Sequence, residues 1–287
     1  MSFVKTAAAL EEWFREAGRS NKTLGFVPTM GYLHEGHLSL IKAAKKENDL
    51  VAVSIFVNPT QFAPGEDFES YPRDEARDYQ LAIEAGANVV FVPDGSEIYP
   101  PGASTQVLVI GEITKKLCGI SRPTHFGGVT QVVSILFNIV RPNRAYFGQK
   151  DAQQALIIKK MVRDLHIPVE IRVCPIIREA DGLAMSSRNV YLTPEERNQA
   201  VCLNQALEKA EQYLYSDAPD CSNIKKLTSI IKEEIESHCL GRIDYCDIFD
   251  GETLEDITEI LPGKKALAAV AVKFSKARLL DNRIWSL

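Results

Sequence analysis

Thr23-Leu-Gly-Phe-Val-Pro-Thr-Met-Gly-Tyr-Leu-His-Glu-Gly-His37 passes from an apolar run, through a turn punctuated by glycine, into the start of a helix. Thr23–Pro28 reads as a buried strand and Gly36–Glu47 as the helix that follows it. Gly31 and Gly36 lack a Cβ, so backbone there can approach a bound group closely. In a parallel α/β sheet, ligands bind outside the carboxyl ends of strands, where helix N-termini present unpaired N–H groups. His34 and His37 fall at such a junction. A lone histidine is usually structural. Two imidazoles beside flanking glycines can instead donate hydrogen bonds to phosphate oxygens and follow charge onto a leaving group. The spacing is not the i, i+4 pair of zinc proteases, and no third metal ligand stands nearby in the sequence.

Outward from this stretch the pattern repeats. Leu50–Val57 is a second strand rich in β-branched residues, Arg73–Ala85 a helix, and Asn88–Pro93 a third strand. Phe126–Val140 reads as a helix, Arg144–Phe147 as a strand, Asp151–Leu165 as a helix, and Val169–Ile176 as a further strand. Alternation at this spacing predicts a parallel sheet with right-handed crossovers. Beyond Ile177 the texture changes. Arg178–Arg188 is polar and aperiodic. Thr193-Pro-Glu-Glu196 is a helix start, with Thr as cap, Pro in the first turn and acids at the positive helix end. A helix to about Leu214 and another over Ser222–His238 precede strands at Ile243–Phe249, Ala266–Phe274 and Ala277–Leu280. The expected organisation is a parallel-sheet α/β domain over residues 1–177 and a smaller α+β domain over 178–287.

Composition narrows the function. The 287 residues are 45% hydrophobic and 25% charged, with a net charge of -5 distributed along the chain. No basic face of the kind that grips nucleic acid is evident, so phosphate affinity has to come from a local site. Met1–Leu10 is followed at once by Glu11 and Glu12, unlike a secretory signal. Val129–Val140 is too short and too polar to span a membrane. Six cysteines without a Cys-x-x-Cys pair read as reduced, mostly buried thiols, and the chain as cytoplasmic.

His34-Glu-Gly-His37 resembles the His-x-Gly-His signature of the nucleotidylyltransferase superfamily, which lies under the ATP phosphates on a Rossmann-like sheet. Ala184-Met-Ser-Ser-Arg188 resembles that superfamily's second signature, Lys-Met-Ser-Lys-Ser, with Ala184 replacing a lysine and Arg188 keeping the cation. Val27–His37, Ser54–Phe62, Tyr71-Pro-Arg73, Arg122–Phe126, Tyr146–Asp151 and Arg178–Asn189 narrow the resemblance to the pantothenate synthetase family. That family couples pantoate to β-alanine through an adenylate made from ATP.

The resemblance implies a set of roles. Met30, Gly31, Tyr32, Leu33, His34, Glu35, Gly36 and His37 would bind ATP, with His37 donating a proton. Gly148, Gln149, Lys150 and Asp151 would do so too, Lys150 on a phosphate and Asp151 near the ribose. Ile177 would offer backbone to adenine, Met185 would line the same pocket, and Ser186, Ser187 and Arg188 would meet the phosphates. Gln61 and Gln154 would hold pantoate, Gln61 also touching β-alanine, with Asn58, Tyr71 and Arg122 weaker candidates for the same cavity. Mg²⁺ would arrive on the phosphates, with Asp78 a candidate neighbour. The loop Phe62–Phe68, containing Glu66 and Asp67, would cover the site, and the chain would form a homodimer. Three other readings stand beside it. They are another specificity within the superfamily, an NAD-binding protein, and a nucleotide-binding regulator. The second lacks Gly-x-Gly-x-x-Gly after its first strand.

Overall fold

β2 (Leu24–Thr29) takes a central place in a six-stranded sheet because nearly every residue in it is apolar and buried. The computed structural model describes residues 2–63, 65–238 and 240–287; Pro64, in the expected cover loop, and Cys239 lie outside them. The strands are β1 (Ser2–Val4), β2, β3 (Leu50–Ile55), β4 (Val89–Phe91), β5 (Arg144–Gly148) and β6 (Glu170–Cys174). They lie in the order β1-β4-β3-β2-β5-β6, every pair parallel. Alternate side chains leave opposite faces of a strand, so Phe26 and Val27 serve different cores. Phe26, Ala52 and Phe91 pack with Leu10 and Phe14 of α1 (Ala7–Glu16), Val129 and Phe137 of α6 (His125–Val140), and Ile158 of α7 (Ala152–Asp164). Val27, Val53 and Val90 pack with Leu38 and Ile41 of α2 (Glu35–Glu47) and Ala82 of α3 (Glu75–Ala85). A sheet covered on both faces explains why its strands read as near-continuous hydrophobic runs.

β1 and α1 have no counterpart in the sequence reading. β1 is too short to show a period. α1 is capped by Thr6, whose Oγ1 accepts from Ala9 N at 3.2 Å. A short helix, α4 (Gly95–Ile98), and another, α5 (Cys118–Ser121), lie between β4 and α6.

The chain divides into two compact units, Met1–Ile110 with Arg122–Pro175, and Gly111–Ser121 with Ile176–Leu287. The second unit therefore takes in a stretch that a single cut at residue 177 leaves in the first. Lys116 explains part of this, since its Nζ meets Asp256 Oδ1 at 2.7 Å. Arg278 adds a contact from its Nη2 to Ser121 Oγ at 3.4 Å.

The second unit packs α8 (Pro194–Gln199), α9 (Cys202–Leu214) and α10 (Ile224–His238) with an antiparallel sheet of β7 (Arg242–Asp250), β8 (Lys265–Lys273) and β9 (Arg278–Ser286). Leu203, Leu207, Leu227, Ile231, Val270 and Trp285 form its core. The single helix expected from Thr193 to Leu214 is two. Thr193 and Glu196 cap α8 reciprocally, and the ladder then slips at Leu203, whose N–H reaches Ala200 O at 3.3 Å. Ala200 and Cys202 both turn into the core at that break. β9 runs well past the expected Leu280, because the polar run Asp281-Asn282-Arg283 hides a strand whose acid is paired inside the fold.

Cys118, Cys174, Cys202, Cys221 and Cys246 are thiols, outside any disulfide. Among the described residues, no helix is long and apolar enough to cross a membrane.

Candidate active site

From β2 the chain moves to β3 on one side, while β5 lies on the other and leads to β6. Connections therefore leave β2 and β5 in opposite directions, opening the crevice in which doubly wound sheets bind ligands. The residues after β2 and β5 are Met30–His37 and Gln149–Asp151, two stretches the sequence reading singled out.

The turn after β2 is held by a carboxylate. Asp78, almost fully buried on α3, accepts from Tyr32 N at 2.6 Å through Oδ2 and from Leu33 N at 2.7 Å through Oδ1. Gly31 and Tyr32 are both left-handed, with φ of 85° and 49°. A Cβ on Gly31 would stand 3.0 Å from Asp78 Oδ2, so glycine is required there on two counts. Arg77 reinforces the turn, its Nη2 donating to Leu33 O at 3.0 Å while its guanidinium lies over the Tyr32 ring. Burial pushes the Asp78 carboxyl up, against the hydrogen bonds from Leu33 and Tyr32. Both its oxygens thus serve the backbone. Among the described residues, no three histidines, cysteines or carboxylates converge on a metal position. Asp78 is a loop anchor, and the described residues form no metal cage of their own.

His34 is the N-cap of α2 and His37 its third residue. His34 Nδ1 accepts from Gly36 N at 3.1 Å, and His37 Nδ1 accepts from His34 N at 3.4 Å. Each ring therefore carries its proton on Nε2. The rings lie 4.1 Å apart between centroids. Burial, then the charge of Lys150, brings His34 down to about 4. Burial, His34 and Lys150 hold His37 well below its ordinary range. At neutral pH both are uncharged donors beside a cation. Lys150, half-buried, also meets Asp151 Oδ1 at 3.7 Å. The ends of two adjacent β-strands thereby bring His34, His37, Lys150 and Asp151 into one electrostatic neighbourhood.

A second cluster follows β3. Asn58 and Gln61 are buried, and Asn58 Nδ2 donates to Gln61 Oε1 at 2.8 Å and to Gly128 O at 3.1 Å. Asn58 Oδ1 accepts from Tyr99 Oη at 2.8 Å. The Gln61 carbonyl accepts from Arg122 Nη2 at 3.1 Å and lies 3.0 Å from His125 Nδ1. Nδ1 of His125 must therefore bear the proton, leaving Nε2 to accept from Arg122 Nη1 at 3.2 Å. This is the opposite tautomer from His34 and His37. Burial, then Arg122, lowers His125 to about 4. Arg122 also forks onto Glu66, Nε to Oε1 and Nη2 to Oε2, each at 2.7 Å. Against the cost of burial, that fork keeps the Glu66 carboxyl below its usual range. Arg122 thus ties the expected cover loop to the start of α6, and is a loop strut as well as a cavity candidate. Tyr71 is buried and sets its ring edge-on to Phe62 at 6.0 Å. Gln154 is half-buried in the first turn of α7, just beyond Asp151. The charge of Asp151 is felt by both His34 and His125, which links the two clusters.

Ile177, Met185, Ser186, Ser187 and Arg188 belong to the second unit. There Met185 N donates to Ile177 O at 3.0 Å, so the two residues expected near adenine are neighbours. Ser186 Oγ accepts from Arg188 N at 3.2 Å, and Ser187 is buried. Sequence reasoning missed the work of Asp78, His125 and Tyr99. His125 lay within the quoted Arg122–Phe126 segment, where an arginine and a histidine three apart at a helix start was the available signal. Asp78 was singled out only as a candidate neighbour of Mg²⁺, and nothing local marked its hold on the loop backbone or the contact of Tyr99, since their partners are distant in sequence.

Residues 2–284 match the family model described as pantoate-beta-alanine ligase. The chain is 52% identical over 284 residues to the pantothenate synthetase of Acetivibrio thermocellus, covering 99% of each. It is similar to that of Thermotoga neapolitana to the same degree, 52% over 284 residues. The crystal structure of pantothenate synthetase from Thermus thermophilus superposes with a TM-score of 0.89 at 44% identity, over 99% of each chain. A pantoate-beta-alanine ligase from Francisella tularensis, complexed with beta-gamma ATP and beta-alanine, gives a TM-score of 0.79 at 35% identity, over 99% of this chain and 97% of that one.

Two outcomes follow from the geometry. In a proton NMR titration, His34 and His125 should titrate with midpoints near 4 and not near the ordinary 6.5. The unfolded chain takes up these protons near 6.5, so the folded state should lose stability as pH falls from 6.5 toward 4 and be unaffected by them above 6.5. Midpoints near 6.5 would contradict the buried, cation-flanked environment. Gly128→Ala places a methyl 2.2 Å from Thr60 O and 2.8 Å from Gln61 N, so it must displace the Gln61 segment. The variant should lose about 1–3 kcal/mol of unfolding free energy in urea; wild-type stability would mean that the close approach has slack.

Proposed function

Since the chain belongs to the pantoate–β-alanine ligase family, we propose that its loop after β2 and its turn after β5 hold ATP, while the cluster after β3 holds the acid substrate. The enzyme condenses pantoate with β-alanine, passing through pantoyl adenylate and releasing AMP and pyrophosphate. The observation that carries the residue assignment is the pair of neutral, Nε2-protonated imidazoles of His34 and His37 beside Lys150, at the carboxyl ends of adjacent strands.

Pantoate is ionised at neutral pH, so its carboxylate attacks the α-phosphorus of ATP without a general base. The new oxygen–phosphorus bond forms as the bond to pyrophosphate breaks, and charge grows on the departing oxygens. Preorganised donors aimed at that charge are usually the largest contribution a protein makes. His34 and His37 supply Nε2–H groups and Lys150 a full charge; Ser186, Ser187 and Arg188 are assigned to the same phosphates. Met30–Leu33, Glu35 and Gly36 carry the backbone of the ATP loop, and Gly148 and Gln149 that of the second turn. Asp151 is assigned to the ribose, Ile177 and Met185 to adenine. A neutral imidazole can remain a donor throughout and need not give up its proton. Mg²⁺ is proposed only as a companion of the ATP phosphates, consistent with Asp78 being engaged by backbone.

In the second step the neutral amine of β-alanine attacks the adenylate carbonyl, AMP leaves, and the amine loses a proton. A mixed anhydride survives only where water is held off. The Glu66–Arg122 fork fits a loop that closes over such a site. Gln61 and Gln154 offer planar donors and acceptors without charge, suited to the carboxylate and hydroxyls of pantoate. Asn58 orients the Gln61 amide, and Tyr71 supports the wall. From the family resemblance, a cytoplasmic homodimer is also proposed.

Purified protein incubated with ATP, pantoate and β-alanine should form AMP and pantothenate in equal amounts; AMP formation without pantoate, or none at all, would refute this assignment. His37→Ala should lower kcat by about two to three powers of ten, as for loss of one preorganised donor. A folded variant with undiminished turnover would remove His37 from the adenylation step.

A further inference from the structure

The last strand contains a buried acid that the reaction as assigned does not use. Asp281 on β9 is 2% exposed. Its carboxylate receives both ends of the Arg178 guanidinium, Nη1 to Oδ2 at 2.6 Å and Nη2 to Oδ1 at 2.9 Å. Asn282 N donates to Oδ1 at 2.7 Å, and Arg178 Nη1 donates again to Gly182 O at 3.0 Å. Such a fork fixes direction as well as distance. With one partner removed, the other is left as an uncompensated buried charge.

Arg178 begins a tight hairpin. It bridges Ala184 in antiparallel fashion. Glu179 N donates to Leu183 O at 2.8 Å, Gly182 N to Glu179 O at 2.9 Å, and Met185 N to Ile177 O at 3.0 Å. Gly182 turns the tip with φ of 96°, and a Cβ there would meet Asn204 Nδ2 at 2.8 Å. Asn189 Nδ2 reaches back to Ala184 O at 3.2 Å, closing the segment beyond the hairpin. Ile177 and Met185 are thus the two feet of the hairpin, and Ser186, Ser187 and Arg188 leave directly from one of them. Arg178 is a side chain that holds this hairpin to the rest of its unit, and the group that holds Arg178 is Asp281.

We propose that Asp281 is a positioning residue for the ATP-binding segment Met185–Arg188, acting through Arg178 and the 177–185 hairpin. The proposal rests on the assignment of Ser186, Ser187 and Arg188 to the ATP phosphates. Donors stabilise developing charge only when held within a fraction of an ångström of their productive positions. A segment aperiodic in sequence needs an external support to meet that tolerance. The fork provides one, about a hundred residues along the chain.

Asp281→Asn keeps the shape, removes the charge and turns an N–H₂ toward the guanidinium. The expected result is an ATP KM raised, and a rate of pyrophosphate release lowered, by about tenfold to a hundredfold, with the KM for β-alanine unchanged. Arg178→Lys, which loses the planar fork, should show the same pattern. If Asp281→Asn does not fold, the double variant Arg178→Met with Asp281→Leu replaces the ion pair by apolar groups, and the same ATP-selective defect is expected in it. Wild-type ATP kinetics in a folded variant, or an equal loss for all three substrates, would overturn the proposal. Arg188→Ala separates the premises. If it raises the ATP KM while Asp281→Asn does not, the Asp281 proposal alone fails. If it leaves ATP kinetics untouched, the phosphate assignment of the segment fails and the proposal with it.

Discussion

A parallel strand flanked by neighbours whose connections run away from it leaves its carboxyl end uncovered. β2 is that strand, and the position between it and β5 is the constraint from which the arrangement of the candidate site follows. Helices cannot close over both strand ends at once, so two turns and two helix starts converge there. Their backbone N–H groups must find acceptors. One pair, from Tyr32 and Leu33, is taken by the buried carboxylate of Asp78. That leaves the capping of α2 to the histidines, and the capping in turn sets their tautomers. Fold, loop geometry and proton position therefore form one causal sequence, from sheet topology to the Nε2–H groups.

Much of this was legible in the residues from Thr23 to His37, because a strand, a glycine-rich turn and a helix start leave strong local signals. That the sheet is parallel followed from strand–helix alternation; its strand order did not. Signals failed where structure depends on distant partners. β1 is too short to show periodicity, and β9 is obscured by Asp281-Asn282-Arg283, whose polarity reads as a loop until Arg178 is seen to neutralise the acid. The helix after Thr193 looks continuous, since a slip of the hydrogen-bond ladder at Leu203 changes no residue type. At the site, His34, His37 and Lys150 stood out by chemistry and motif. Asp78 entered only as a candidate neighbour of Mg²⁺; the fold shows it as the acceptor that shapes the histidine loop.

Three histidines of the first unit, His34, His37 and His125, show how environment separates like residues. All are driven toward the neutral form, but the hydrogen-bond partners differ. His34 and His37 spend Nδ1 on backbone N–H groups and keep Nε2–H. His125 spends Nδ1–H on the Gln61 carbonyl and turns Nε2 to Arg122. The first arrangement presents two Nε2–H donors. The second has no donor left to present, so it supports the backbone at Gln61. A protonated His125 would set a second positive charge against Arg122 and compete for the guanidinium that grips Glu66. Neutrality there preserves the strut between the start of α6 and the loop around Glu66. The same desolvation that leaves two imidazoles as neutral donors thus leaves the third as a neutral support of the architecture. The backbone claims Nδ1 in all three; the difference lies in whether it meets that nitrogen with an N–H or with a carbonyl.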